Sequence, residues 1–179
     1  MDMTEKTLEQ EYVYQGKIVR IRRDIALLPN GRQSVREVCE HVGGVAVLPV
    51  DEDGFVYLVR QFRYPYGEVL LEIPAGKMDQ GPEGHLACGV RELREETGLT
   101  AERMIYLGRM YPSPGFLDEV LHLYTATGLH QGACQPDEDE FLQVERLPLE
   151  TVCRMIADDE IRDGKTIAAV LRAKLKLGL

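Results

Sequence analysis

Alternating and continuous apolar runs fill the first two thirds of the chain, and helical spacing appears in its middle and at its end. Residues 11–41 read as strands: KIVRIRRDIALL is rich in β-formers, Asn30-Gly31 is a hairpin turn signal, and RQSVREVCEH returns from it. VGGVAVLPV and GFVYLVRQF read as two strands joined by the acidic turn Asp51-Glu52-Asp53-Gly54. Their near-continuous apolar character predicts a central position covered on both faces. EVLLEIPAG forms a strand that delivers Ala75-Gly76, small residues that let the backbone come close to a ligand. ERMIYLGRMY and EVLHLYTATG are strands either side of the loop PSPGFLDE, and FLQVERLP is a further strand. Pro148 opens a helix through about Ala157, and a last helix runs from about Lys165 to Lys176. Arg172, Lys174 and Lys176 near its end are expected to complement the helix dipole and to solvate the surface.

The most informative stretch is GKMDQGPEGHLACGVRELREETGL, residues 76–99. It reads as a glycine loop feeding a carboxylate-rich helix that starts at Gly81-Pro82 and stops at Gly98. At about 100° per residue Leu86, Val90 and Leu93 share a face, expected to anchor the helix in a core. Glu92 and Glu96 point together along a flank of that face, with His85 and Gly89, while Arg91 and Glu95 can pair on the far side. Glutamate-rich helices are ordinarily solvated. Two features argue otherwise here: like charges at this spacing repel, and a glycine in mid-helix costs about 1 kcal/mol against alanine. A hard divalent cation held by carboxylates, water and phosphate oxygens accounts for both. His85 lies within reach of that flank, although a surface position is the ordinary fate of such a histidine.

Charge and cysteine usage narrow the function classes. The chain has 179 residues, enough for one domain and a short appendage. A formal net charge of −9 and a pI near 5.0 argue against a nucleic-acid surface, and require local positive charge for any anionic substrate. Cys39, Cys88, Cys134 and Cys153 form neither a CxxC pair nor a zinc spacing, which fits a reducing compartment. The start, MDMTEKTLEQEY, lacks a secretory pattern, and no apolar run reaches membrane-spanning length, so no membrane partner and a cytoplasmic location are expected.

The stretch resembles the Nudix box, G-x5-E-x7-R-E-U-x-E-E-x-G-U with U bulky and aliphatic. Arg91-Glu92-Leu93-Arg94-Glu95-Glu96-Thr97-Gly98-Leu99 matches its second half at each fixed position, while six residues rather than five separate Gly76 from Glu83. The order of elements alone indicates an α/β (α+β) domain with several strands and about three helices. The resemblance implies a Nudix-type mixed sheet sandwiched between helices over residues 42–179. Residues 1–41 are then an antiparallel strand region that serves dimerisation; a segment so short has no core of its own and must pack on something.

EIPAG, VRQFR and Ser113-Pro114-Gly115 are similar to the ADP-ribose pyrophosphatase branch of that superfamily. The implied reaction is hydrolysis of ADP-ribose to AMP and ribose 5-phosphate, with magnesium or alternatively manganese. Glu92, Glu96 and the Ala75 carbonyl are the implied metal ligands. Glu95 is expected to steady the loop and helix through Arg91 or to reach a metal through water. Arg63 is implied on the diphosphate or terminal ribose, although a rim salt bridge is as ordinary for it. Arg36 is implied on the adenosine side, and Pro114 and Phe116 in the substrate pocket. The acidic loop DEDEF supplies the implied general base, Glu138, with Glu140 as the alternative; a solvated acidic turn is the ordinary reading of such a run. Two other readings stay open: a Nudix enzyme acting on a GDP-sugar or a dinucleotide, and a noncatalytic ligand sensor, which the intact Glu92, Glu95 and Glu96 oppose.

Overall fold

The computed structural model of the chain describes residues 2–78, 84–134 and 141–178. Across them run strands β1 (Lys6–Gln15), β2 (Arg20–Leu27), β3 (Gln33–Glu40), β4 (Gly44–Pro49), β5 (Phe55–Arg63), β6 (Glu68–Glu72) and β7 (Ala75–Lys77). Helix α1 (His85–Thr97) follows, then β8 (Leu99–Met110), β9 (Leu121–Gln131), β10 (Gln143–Pro148), α2 (Leu149–Ala157) and α3 (Gly164–Leu177). They divide into two units, Met1–Val42 with Tyr111–Val120, and Gly43–Met110 with Leu121–Leu179.

In the smaller unit β1, β2 and β3 form an antiparallel sheet in that order. The Asn30-Gly31 turn is present: Gly31 has φ 80° and donates to the Leu28 carbonyl at 2.9 Å. Strand β1 starts at Lys6, earlier than its apolar content signals, and is exposed at every position. The loop carrying Pro114 and Phe116 is stitched to the end of β3, where Cys39 N donates to the Phe116 carbonyl at 2.7 Å and Asp118 N to the Cys39 carbonyl at 3.1 Å.

The larger unit is organised on β4, buried at each of its positions. It runs parallel to β9 and antiparallel to β7, in a mixed sheet of order β7-β4-β9-β8. Because side chains alternate across a strand, Val45 and Val47 face α1, packing with Cys88, Leu93 and Leu99. Ala46 and Leu48 face the other way, onto Val152 of α2 and Ala169, Val170 and Ala173 of α3. The sheet is thus sandwiched between helices, as the resemblance implies. A second, antiparallel sheet has the order β10-β5-β6.

Four expectations are corrected. EVLLEIPAG is not one strand: β6 ends at Glu72, and β7 starts at Ala75 in the other sheet. Pro74 has no N–H for a ladder, so its carbonyl accepts from Val47 N at 2.9 Å while Ile73 N turns to Thr166 Oγ1 at 2.9 Å. Helix α1 starts at His85 behind an extended Gly84, later than Gly81-Pro82, which with Glu83 lie outside the described residues. Its buried face is Cys88, Gly89, Glu92, Leu93 and Glu96, whereas Leu86 and Val90 are 48% and 46% exposed. The sheet takes the flank that carries the acids, because glycine at 89 lets the helix approach closely. The α3 cations dock instead of merely solvating: Arg172 donates to the Arg109 carbonyl at 2.9 Å and Lys176 to the Tyr106 carbonyl at 2.7 Å. The helix stop at Gly98 stands as read, with φ 72° and its N–H on the Arg94 carbonyl.

A Cβ at Gly89 would lie 2.9 Å from Val45 Cγ1 and 3.3 Å from Val47 Cγ2, both fully buried. Gly89 therefore serves helix–sheet packing and not a vacant flank. Gly89→Val should overpack this contact by about 1–3 kcal/mol, lowering the calorimetric Tm by about 2–4 °C per kcal/mol; an unchanged or raised Tm would contradict the assignment.

Candidate active site

The switch at Pro74 lays Ala75 and Gly76 under the acidic flank of α1. Register pairs Ala46 with Ala75 and Val45 with Gly76, fixing this short strand on the buried β4. Ala75 N donates to Glu96 Oε2 at 3.1 Å. A Cβ at Gly76 would fall within the Glu92 carboxylate, so only glycine admits that side chain. Glu92 and Glu96 are 8% and 2% exposed. The two carboxylates of the sequence pattern are thus buried together against the backbone that precedes the helix.

Arg91 bridges this pair to the helix exterior, with Nη1 2.7 Å from both Glu92 Oε1 and Glu95 Oε2. Glu95, half-buried, is on the outer side of that bridge. Arg63 also belongs to this unit. Its guanidinium forks onto Glu72, Nε to Oε1 at 2.7 Å and Nη2 to Oε2 at 2.8 Å, and Lys165 donates to the same carboxylate. Burial works to raise the Glu72 carboxyl, but Arg63 and Lys165 outweigh it and hold the group below its usual range. Arg63 is raised, first by its bond to Glu72 and further by the charges of Asp163 and Glu96.

His85 turns to an aromatic cluster, its Nδ1 2.6 Å from the Tyr124 hydroxyl and its ring stacked on His122 with centroids 4.1 Å apart. In the smaller unit Arg36 is forked on Glu5, at 2.9 and 2.7 Å, and Pro114 and Phe116 are exposed. Glu138 and Glu140 lie outside the described residues. Sequence reasoning passed over Glu72 and Lys165. The available signal was a carboxylate inside the apolar run VLLEIP, because a charge in a buried strand needs a partner.

The donors gathered here are oxygens only. Among the described residues no group of three or more His, Cys, Asp or Glu converges on one point. The described residues offer a cation two carboxylates and nearby backbone, which leaves room for water and phosphate oxygens. That division suits a hard divalent ion of magnesium type, and the space that glycine at 76 leaves for Glu92 fits it as well.

The chain thus sets a helix-borne acid pair over a glycine strand, in a mixed sheet between helices. The NUDIX domain family matches residues 40–170, and the family described as nucleoside diphosphate sugar hydrolase N-terminal domain matches residues 5–39. The chain belongs to the Nudix family. It is similar to the ADP-ribose pyrophosphatase of Bacillus subtilis (strain 168), 38% identical over 99% of this chain and 96% of that one. The methanol dehydrogenase activator of Bacillus methanolicus is 39% identical over 98% of this chain and 95% of its own. A crystal structure of an ADP compounds hydrolase shares the fold, with a TM-score of 0.85, 22% identity, and coverage of 99% of this chain and 97% of that one.

The Glu72 ion pairs should make stability pH-dependent. A carboxyl held low in the folded state contributes fully above its unfolded value, 4.5, and the contribution is lost as pH falls through the folded value. The Tm gap between wild type and Glu72→Gln should hold from about pH 7 to about 5 and close below about 4.5. Calorimetry across that range checks it; a constant gap down to about pH 3 would contradict it.

Proposed function

We propose that the chain is a divalent-metal-dependent pyrophosphatase that hydrolyses ADP-ribose to AMP and ribose 5-phosphate. The observation that carries this reading is the buried Glu92–Glu96 pair over Gly76, in a chain that resembles an ADP-ribose pyrophosphatase along nearly its whole length.

In this reading Glu92, Glu96 and the Ala75 carbonyl hold magnesium, or alternatively manganese. The ion, when bound, neutralises the diphosphate and makes a bound water more acidic. Arg91 and Glu95 keep Glu92 oriented through their shared bond. Arg63 binds the diphosphate or the terminal ribose, and Arg36, Pro114 and Phe116 keep substrate-binding roles. Glu138 takes the proton from the attacking water, with Glu140 the alternative, because ligand carboxylates are neutralised by coordination. The protein acts as a cytoplasmic homodimer with no nucleic-acid or membrane partner. Support for a dimer comes from β1, exposed throughout with Leu8, Tyr12, Val13 and Tyr14 on its surface. Among the described residues no helix is long and apolar enough to cross a membrane.

Another nucleoside diphosphate derivative is the second reading, favoured by similarity to the GDP-mannose pyrophosphatase of Yersinia enterocolitica, 35% identical over 80% of this chain and 79% of that one. Phosphatase-coupled phosphate release over a panel of nucleoside diphosphate derivatives separates the two: ADP-ribose should give the highest kcat/KM, and a GDP-sugar or dinucleotide at the head of the panel would replace it.

Four outcomes test the assignment further. Glu92→Gln and Glu96→Gln keep volume but remove charge, and each should lower kcat by about 10²-fold or more while far-UV circular dichroism is unchanged. Chelation should abolish turnover; near-native rates at limiting magnesium would sink the metal assignment. Glu138→Gln should cost about 10²–10⁴-fold in kcat with little change in KM, whereas a dead Glu140→Gln beside an active Glu138→Gln moves the base by two residues. Light scattering at micromolar concentration should give the dimer mass, and a monomer mass refutes that part.

A further inference from the structure

Next to the acid pair stand Glu72, Lys165 and Asp163, charges to which hydrolysis assigns no task. Glu72 ends β6 and is 1% exposed. A buried carboxylate is costly unless paired, and removing one partner strands the other. Glu72 is met from two directions, by the Arg63 fork and by Lys165. Lys165 in turn donates to Asp163 Oδ1 at 3.0 Å. Asp163 is the N-cap of α3, accepting from Thr166 N at 3.0 Å, and Thr166 Oγ1 accepts from Ile73 N at 2.9 Å. The first turn of α3 therefore grips consecutive residues, the Glu72 side chain and the Ile73 backbone, just ahead of the Ala75–Gly76 strand.

This geometry does more than neutralise charge. With Nε and Nη2 engaged, the plane of the Arg63 guanidinium is set by a two-point contact, and Nη1 is the edge that Glu72 does not use. A donor already held in place loses little side-chain freedom when an anion binds. Lys165 shares the Glu72 carboxylate with Arg63 and also meets Asp163, so two cations here face two carboxylates. Without Lys165, Arg63 alone would neutralise Glu72, and the surroundings of Glu96 would become one unit more negative, against a diphosphate.

We propose that Glu72 and Lys165 are positioning residues for substrate: Lys165, anchored on the α3 cap, holds Glu72, and Glu72 holds Arg63 with Nη1 presented to the diphosphate. The proposal rests on the reading of this site as a hydrolase of nucleoside diphosphate derivatives.

A double-mutant cycle in ADP-ribose hydrolysis at saturating magnesium, run well below each variant's Tm, tests it. Lys165→Met and Glu72→Asp should each raise KM by about ten- to a hundredfold, the scale of one hydrogen bond to a charged group. Their kcat should stay within about threefold, as for lost uniform binding. In an Arg63→Ala background neither change should cost anything further, and Lys165→Arg should keep KM within about threefold of native. Equal losses with and without Arg63, or a native KM in folded Lys165→Met, would overturn the proposal. If Glu72→Asp fails to fold, the Lys165→Met and Lys165→Arg pair decides alone. A substrate-independent signal keeps the two readings apart: the Arg63 Nε–H resonance, identified by its loss in Arg63→Ala, should exchange slowly in the native protein and rapidly in Glu72→Asp. That pattern in a protein without ADP-ribose turnover sinks the substrate reading and upholds the positioning, whereas rapid exchange in the native protein overturns the positioning.

Discussion

Two carboxylates four residues apart on one helix are buried side by side, and much of the larger unit follows from making that tolerable. On an exposed helix such a pair repels by a few tenths of a kcal/mol; away from water the same repulsion grows as the effective dielectric falls. The chain answers with short-range positive partners. Arg91 bonds Glu92, the Ala75 peptide N–H bonds Glu96, and Gly76 withholds the side chain that would occupy the place of Glu92. The break at Pro74, the sheet switch and the glycine after it are one solution to one electrostatic problem.

The surrounding charges extend that logic. A chain with a formal charge of −9 repels anions at long range, so any hold on a diphosphate must be made locally. Arg63 and Lys165 stand on a single buried carboxylate of β6, and the α3 cap joins them to the backbone leading into β7. Arg63, Lys165 and the strand that carries Ala75 and Gly76 are thereby set from the same helix turn. A buried ion pair is weak evidence of stability, and it is better evidence of a geometry that has to be kept.

Two glycines show how local reading and tertiary packing divide the work. A glycine inside a helix pattern signals that something comes close, but not what. Gly89 admits Val45 and Val47 of the sheet, and Gly76, outside the helix, admits Glu92. The same packing turns Leu86 and Val90 outward, although their spacing with Leu93 is that of a core face. Helical periodicity gives the angle between side chains and leaves open which arc the sheet will cover.

By itself the sequence determined what short-range chemistry controls. Continuous apolar runs marked β4 as doubly covered, Asn30-Gly31 marked a hairpin, Gly98 the helix stop, and the R-E-L-R-E-E-T-G-L pattern the family and its acids. Tertiary structure decided what depends on partners distant in the chain. Whether EVLLEIPAG is one strand turned on where the Ile73 N–H finds an acceptor, and that acceptor, Thr166, lies 93 residues away. The same holds for Glu72, which reads as an interruption in an apolar strand until Lys165 arrives from α3. A pairing across such a separation is set by packing of the whole unit, because no local propensity specifies which distant side chain will meet a buried charge.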